Sequence, residues 1–261
     1  FLDTADTYCR GRHDVGYMER VLNEACRDKS VIIGTKGGMV RIGSESNSWR
    51  EANYTTSAEW ENCIRASLER LNYHSDPLPL WMVHHCKKNK ASLEALMTAC
   101  QVLVRENRIV HIGLCNVTVA EVEFCQKFLP IACVQNKYSL YHRIAEKPLH
   151  VDSSRVIASN TQRGMIDYCT EKQIPFLAYG VLGGVSARRG DCSLKVDFPE
   201  IARQAHRKGV APQILVLAWI RHRFPIVMPL VGSRSIQKLT ELRKAYEVRF
   251  SAEDMLDFPT S

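Results

Sequence analysis

Short apolar runs rich in Val, Ile and Leu alternate along this chain with longer amphipathic stretches, and that rhythm constrains its fold more than any other feature. The runs occupy residues 31–35, 78–83, 109–114, 131–135, 174–179 and 226–232. They lack strict apolar–polar alternation, so they read as strands buried on both faces, as in a parallel sheet. Between them, residues 16–28 read as a helix with Met18, Val21, Leu22 and Ala25 on one stripe. Residues 56–71 start at a Thr/Ser cap and carry Trp60, Ile64, Leu68 and Leu71. Residues 91–107 place Leu93, Leu96, Met97, Ala99, Cys100 and Val104 mostly on one side, and 118–128, 160–172 and 211–221 follow in the same style.

Repeated strand–helix units with crossovers of this length predict a parallel sheet. Counting residues 1–3 as the tail of a strand gives seven strands. A doubly wound sheet and a closed eight-stranded barrel, typically about 250 residues long, both fit that rhythm. The chain opens on Phe1 in mid-pattern, at Phe1-Leu2-Asp3-Thr4-Ala5-Asp6. The expectation is a single barrel domain over residues 1–261, truncated at its N-terminus and lacking the first strand and helix, with any targeting segment lost.

Composition removes several classes. The hydrophobic share, 45%, is too high for a disordered chain, and no uncharged apolar stretch approaches a membrane span. The net charge of +7 is scattered, with small clusters at Cys86-Lys87-Lys88-Asn89-Lys90 and Arg188-Arg189. It therefore fits an anionic small ligand at least as well as a nucleic acid. The ten cysteines include no CxxC pair and fall mostly in apolar or helical stretches, which predicts free thiols and a reducing, cytoplasmic setting. Neither a nucleic-acid nor a membrane partner is expected, and the oligomeric state is left open.

The chemistry gathers where the apolar runs end, which is where barrel enzymes place their active sites. Asp3 ends the first run and Tyr8 follows it; Lys36 ends the second and His84 the third. Asn116 follows the fourth, Gln135 ends the fifth and Tyr179 the sixth. Each alone has an ordinary explanation as a cap, a solvated charge or a core side chain. Their succession does not.

These residues resemble the aldo-keto reductases along nearly the whole chain. Phe1-Leu2-Asp3-Thr4-Ala5-Asp6-Thr7-Tyr8 is similar to that family's strand-two signature, Ile32-Ile33-Gly34-Thr35-Lys36 to its strand-three lysine, and Leu80-Trp81-Met82-Val83-His84 to its strand-four histidine. Ile112-Gly113-Leu114-Cys115-Asn116, Val134-Gln135-Asn136-Lys137-Tyr138-Ser139-Leu140 and Pro229-Leu230-Val231-Gly232-Ser233-Arg234 complete the order. The resemblance implies the (β/α)8 barrel, NADP(H)-dependent reduction of an aldehyde or ketone, and a catalytic set of Asp3, Tyr8, Lys36 and His84.

The residue types agree with that chemistry. Carbonyl reduction by hydride needs a proton donor at the oxygen, and a free tyrosine is a modest acid at neutral pH. A buried Lys36 ammonium beside Tyr8 is expected to stabilise the tyrosinate, Asp3 to keep Lys36 charged, and His84 to orient or polarise the carbonyl. No metal is expected, because His84-His85-Cys86 alternates faces on a strand and its members cannot all hold one ion.

For the cofactor, the resemblance implies a carboxamide grip by Cys115, Asn116 and Gln135, with Tyr179 under the nicotinamide ring. Cys115 stands where the family has Ser and is a weaker hydrogen-bond partner. Gly180, Val181, Leu182 and Gly184 fall in the loop expected to line the pyrophosphate. Gly232, Ser233, Arg234, Lys238 and Glu241 fall in the region expected at the adenosine end, where two cations favour NADP(H) over NAD(H); a solvated helix start is the alternative. The family commonly has Gln and Asn at positions 238 and 242, occupied here by Lys238 and Leu242.

Residues 37–54 are expected to overhang the active site, with Trp49 either a substrate-facing wall or rim packing. The motif spelling lies closer to the branch with aldose, pyridoxal and K⁺-channel β-subunit-like members. A second function therefore stands beside the enzyme: a cofactor-binding regulatory or scaffold subunit with weak or no catalysis.

Overall fold

The computed structural model describes residues 1–9, 14–26, 30–41, 49–85, 89–147, 163–184, 187, 190, 192–256 and 258. Cys86, Lys87, Lys88, Arg188 and Arg189, which carry most of the two basic clusters, lie outside the described residues. The chain divides into two compact units, residues 1–134 with 150–161 and residues 135–149 with 162–261.

In the first unit the elements run β1 (Leu2–Asp3), α1 (Tyr17–Cys26), β2 (Ile33–Gly37), β3 (Met39–Arg41), β4 (Trp49–Glu51), α2 (Ser57–Arg70), β5 (Leu78–Val83), α3 (Lys90–Arg105), β6 (Ile109–Cys115) and α4 (Val119–Gln126). Strands β1, β2, β5 and β6 pair side by side in that order, all parallel. Every residue of β2 is buried, and so is all of β5 except Pro79, as the unalternating apolar runs predict. The β2 run begins two residues later than the sequence suggests, because Ile32 is 59% exposed.

Strand register sets which side chains share a face. Lys36 is opposite Met82 and Thr35 is opposite Trp81, so Lys36 points one way and Thr35 the other. On the Thr35 face the helices pack: Trp60 and Trp81 are fully buried with their rings edge to face at 6.5 Å, and Tyr54 meets Trp60 in the same manner at 4.9 Å. From α3, Leu93, Leu96, Met97, Ala99, Cys100 and Leu103 are buried; Leu103 takes the place expected for Val104. Each buried Leu or Met among them stabilises the fold by roughly 1.5–3 kcal/mol.

Helix starts follow their capping residues. Thr56 accepts from the backbone N–H of Glu59, whose carboxylate accepts from Thr56 N at 3.0 Å, closing a capping box. Thr118 and Glu121 do the same for α4, and Asn89 caps α3. One such cap contributes about 1 kcal/mol. Helix α1 departs from expectation: its apolar stripe is not fully buried, and its buried side chain is Glu19. The segment 37–54 also differs from a plain loop. Strands β3 and β4 pair antiparallel, with Arg41 opposite Trp49, while residues 42–48 lie outside the described ones.

Strand β7 (Ile131–Lys137) contains the boundary between units. The second unit continues with α5 (Met165–Lys172), β8 (Phe176–Tyr179), α6 (Leu194–Asp197), α7 (Pro199–Arg207), α8 (Pro212–Arg223), β9 (Val227–Pro229), α9 (Ile236–Leu242) and α10 (Ala252–Leu256). The helix expected over 160–172 begins at Met165, and residues 160–162 lie outside the described ones. Strands β8 and β9 are parallel, with Phe176 opposite Val227. Pro212 opens α8 at its first turn, where a missing N–H costs nothing, and the helix buries its residues 214–220. Among them Trp219 stacks on Phe258 with ring centroids 4.9 Å apart.

Among the described residues no helix is long and apolar enough to cross a membrane. The described cysteines are free thiols, and no described cluster of His, Cys, Asp or Glu is arranged to hold a metal ion.

Candidate active site

The first unit brings Asp3, Tyr8, Lys36 and His84 together. Lys36 is fully buried. Its ammonium donates to Asp3 Oδ2 and to the carbonyl of Thr4, both at 2.7 Å. Burial alone works to strip the Lys36 proton. Asp3, followed by Tyr8 and Cys115, outweighs it, and the pKa stands above the ordinary lysine value.

Tyr8 lies over this ammonium, with Lys36 Nζ 5.0 Å from the ring centroid. Its ring meets that of His84 edge to face at 5.9 Å. Burial pushes the phenol pKa up, and Lys36 pulls it back only in part. The net direction is upward, with the Lys36 charge acting in favour of the tyrosinate as expected of it. His84 is held where β5 ends by its own N–H, which donates to Gly37 O at 2.7 Å. Burial first, then the Lys36 charge, then His85 depress its pKa to about 3, so the ring is neutral throughout the physiological range. Thr7 Oγ1 is 3.4 Å from Nδ1. With the hydroxyl donating there, the ring proton resides on Nε2.

Asn116 takes a left-handed backbone (φ 57°), which asparagine tolerates better than most residues. Its Nδ2 donates to His84 O at 3.1 Å and to His85 Nε2 at 2.8 Å. This amide thus braces the strand end that carries His84. His85 Nδ1 in turn lies 3.5 Å from Glu51 Oε1 on β4. Cys115 is buried with its sulfur 4.0 Å from Met82 Sδ, and Cys133 is 3.9 Å from the same atom. Trp49 is half-buried on β4.

The other expected cofactor residues lie in the second unit. Gln135 is buried near the end of β7. Tyr179, half-buried at the end of β8, accepts on its carbonyl from Tyr138 N at 3.1 Å. The turn after it closes by Gly183 N donating to Gly180 O at 3.0 Å, with Val181 buried and Leu182 half-buried. Gly183 has φ +93°, and a Cβ there would meet Cys192 Sγ at 2.9 Å. At Gly184 and at Gly232 a Cβ would meet nothing within 4 Å, so backbone is approachable at both.

Ser233, Arg234, Lys238 and Glu241 are exposed around the start of α9. Ser235 caps this helix by accepting from Lys238 N at 3.3 Å, and Ser235 N donates to Ser233 Oγ at 3.1 Å.

Sequence reasoning missed Thr7, His85 and Glu19. Thr7 lies inside the quoted signature and was within reach, whereas nothing in the sequence marks a first-turn glutamate as buried.

A family model described as "Aldo/keto reductase family" matches residues 1–258. The chain is 27% identical over 255 residues to an uncharacterized oxidoreductase of Schizosaccharomyces pombe, covering 97% of this chain and 71% of that protein. It is 26% identical over 255 residues to the pyridoxine 4-dehydrogenase of Escherichia coli, covering 97% and 78%. An aldo-keto reductase structure from Klebsiella pneumoniae in complex with NADPH superposes with a TM-score of 0.70 at 21% identity, covering 98% of this chain and 77% of that one. This likeness gives the fold as the α/β barrel, which decides between the two architectures that the apolar rhythm leaves open.

Proposed function

The chain belongs to the aldo/keto reductase family, and we propose that it reduces an aldehyde or ketone to the alcohol with NADP(H), using Tyr8 as proton donor. The observation that carries this reading is the fully buried Lys36 ammonium, paired with Asp3 at 2.7 Å and 5.0 Å from the Tyr8 ring centroid.

The residues present fit such a cofactor. Backbone is approachable at Gly184 and Gly232, and Arg234 and Lys238 supply cations beside the Ser233 and Ser235 turn. By the family resemblance, Cys115, Asn116, Gln135 and Tyr179 are the residues that would hold the nicotinamide end, and Arg234 with Lys238 those that would hold the 2′-phosphate. The cofactor, when bound, supplies the hydride.

The chain's own residues handle the proton. As negative charge grows on the carbonyl oxygen, the Tyr8 hydroxyl gives up its proton to that oxygen. The Lys36 ammonium stabilises the tyrosinate left behind, and it stays charged because Asp3 and the Thr4 carbonyl hold two of its protons. Neutral His84 donates from Nε2 to the same oxygen and so fixes where it sits. A raised Tyr8 pKa keeps the donor protonated at neutral pH.

The test is NADPH oxidation against a panel of aldehydes that includes pyridoxal and simple sugars, with Tyr8→Phe alongside. Turnover that collapses in Tyr8→Phe while NADPH binding persists is the expected result. Binding without turnover on any carbonyl overturns the enzyme in favour of a regulatory cofactor-binding subunit, and no binding overturns the cofactor assignment.

A further inference from the structure

We infer that Glu19 is a positioning residue for the reaction, a buried carboxylate that fixes the strand of Lys36 against the segment carrying Tyr8. The inference rests on the reductase reading of Tyr8 and Lys36. Glu19 is fully buried in the first turn of α1. Its Oε1 accepts from Thr35 Oγ1 at 2.6 Å, and its Oε2 accepts from Arg70 Nε at 2.5 Å. Arg70 is itself anchored on α2, where Nη2 donates to Ser67 Oγ at 3.2 Å.

Thr35 immediately precedes Lys36 and is also fully buried. Neighbouring residues of a strand point to opposite faces, so gripping Thr35 from the helix side aims Lys36 to the other side. The same helix start holds the tyrosine segment. Met18 N donates to Tyr8 O at 3.1 Å, and Gly16 N to Asp6 O at 2.6 Å. Asp6 N closes the loop by donating to Lys36 O at 3.0 Å. Gly16 is required at its turn: φ is +77°, and a Cβ would run into the Arg70 side chain. One carboxylate thus ties α1 to β2 and α2; β2 carries the ammonium, and the start of α1 holds the segment of the proton donor by backbone hydrogen bonds.

An amide is not equivalent. Both Glu19 oxygens accept, from a hydroxyl and from a guanidinium; a glutamine keeps one acceptor, makes the Thr35 hydroxyl accept from its N–H instead of donating, and removes the charge that faces Arg70. The Glu19→Gln change is therefore expected to loosen the Lys36–Tyr8 spacing without touching either residue.

The experiment compares wild type, Glu19→Gln and Thr35→Val, which keeps the Glu19–Arg70 pair and so preserves a folded reference. Steady-state kinetics are run with a carbonyl turned over by the wild type. The expected result is kcat lower by about tenfold or more in both variants, with carbonyl KM and NADPH affinity within about twofold.

A second readout needs no turnover. Fluorine NMR of 3-fluorotyrosine-labelled protein, assigned through Tyr8→Phe, follows ionisation of Tyr8, whose charged neighbours are Lys36 and Asp3, with Cys115 beside them. Weaker contact with Lys36 shifts that titration to higher pH. An unshifted Tyr8 titration in both variants, or a kcat loss that only tracks the fraction able to bind NADPH, overturns the inference. If the wild type turns over no carbonyl, the reductase reading fails, and the NMR titration still decides the positioning role. Should Glu19→Gln not fold, Thr35→Val alone decides in the same way.

Discussion

Lys36 Nζ lies 2.7 Å from Asp3 Oδ2 with the lysine wholly removed from solvent, so each charge depends on the other. Removing one partner of a buried pair leaves the other uncompensated, at a cost of about 3–5 kcal/mol, reduced here because Asp3 retains 17% exposure. Asp3→Asn is expected to lower the melting temperature and abolish most turnover. The Lys36 pKa is raised, so its stabilisation is complete below the ordinary lysine value of 10.5 and is lost as pH rises through the folded value. Urea denaturation carried above pH 10.5 should show a steeper loss of stability in the wild type than in Lys36→Met.

Asp6 gives the opposite lesson. It is 5% exposed, its Oδ1 has no hydrogen-bond partner, and burial followed by the nearby Glu19 pushes its pKa to about 7. The folded protein holds this proton more tightly than the unfolded chain does. The resulting stability is present below the ordinary value of 3.8 and disappears as pH rises through about 7. Asp6→Asn is therefore expected to stabilise the protein more at pH 8 than at pH 5. A melting-temperature difference that is the same at both pH values sinks this account.

His84 titrates the other way. Its pKa of about 3 means that the folded state resists protonation while the unfolded chain accepts it near 6.5. Its contribution to stability is present above 6.5 and is lost as pH falls through about 3. His84→Gln should then leave the shape of the kcat profile between pH 5 and 8 unchanged, and proton NMR should find the His84 imidazole still neutral at pH 5. His84→Gln is expected to lower kcat by roughly 100-fold through loss of its hydrogen bond to the carbonyl oxygen.

In the second unit, Glu146 carries a comparable burden without touching the proposed chemistry. It accepts from Tyr138 OH and twice from Arg143, all at 2.6 Å, and from Arg223 at 3.1 Å. Both guanidiniums lie over the Trp219 ring, at 5.8 and 5.5 Å from its centroid. Glu146→Gln leaves two cations short of their counter-charge and is expected to cost about 3 kcal/mol in urea denaturation. Turnover per folded molecule should be unchanged.

What was legible in the sequence is what repeats or resembles. The strand β5 and helix α2 fall almost where the apolar runs and the Thr56 cap put them, because burial and capping are local signals. Asp3, Tyr8, Lys36 and His84 stood out because they lie at or just after the ends of apolar runs in the order of a family's motifs; it is the resemblance that groups them into one set. Glu19 was not, since a glutamate in a first helical turn reads as a favourable partner for the helix dipole, and its burial depends on Arg70, 51 residues away. The β3–β4 hairpin was hidden for another reason: each strand is three residues long, too short for any period to show. The Asn116 brace on His84 depends on a left-handed backbone that spacing does not encode.

The preference for NADP(H) can be isolated at one end of the proposed cofactor site. Arg234 and Lys238 are exposed, and neither is needed to cap α9, because Ser235 supplies the side-chain acceptor. Their substitution therefore removes charge without unfolding the helix start. Each is expected to contribute a charge-assisted contact to a 2′-phosphate, and such a contact is worth about 1.5–3 kcal/mol. Arg234→Ala should weaken NADPH binding by roughly tenfold or more and leave NADH binding nearly unchanged, with the difference shrinking as salt is raised. Fluorescence titration with both nucleotides reads this directly. Equal losses for NADPH and NADH would place Arg234 on a part common to both, and the discrimination would then have to come from Lys238 or from elsewhere on the chain.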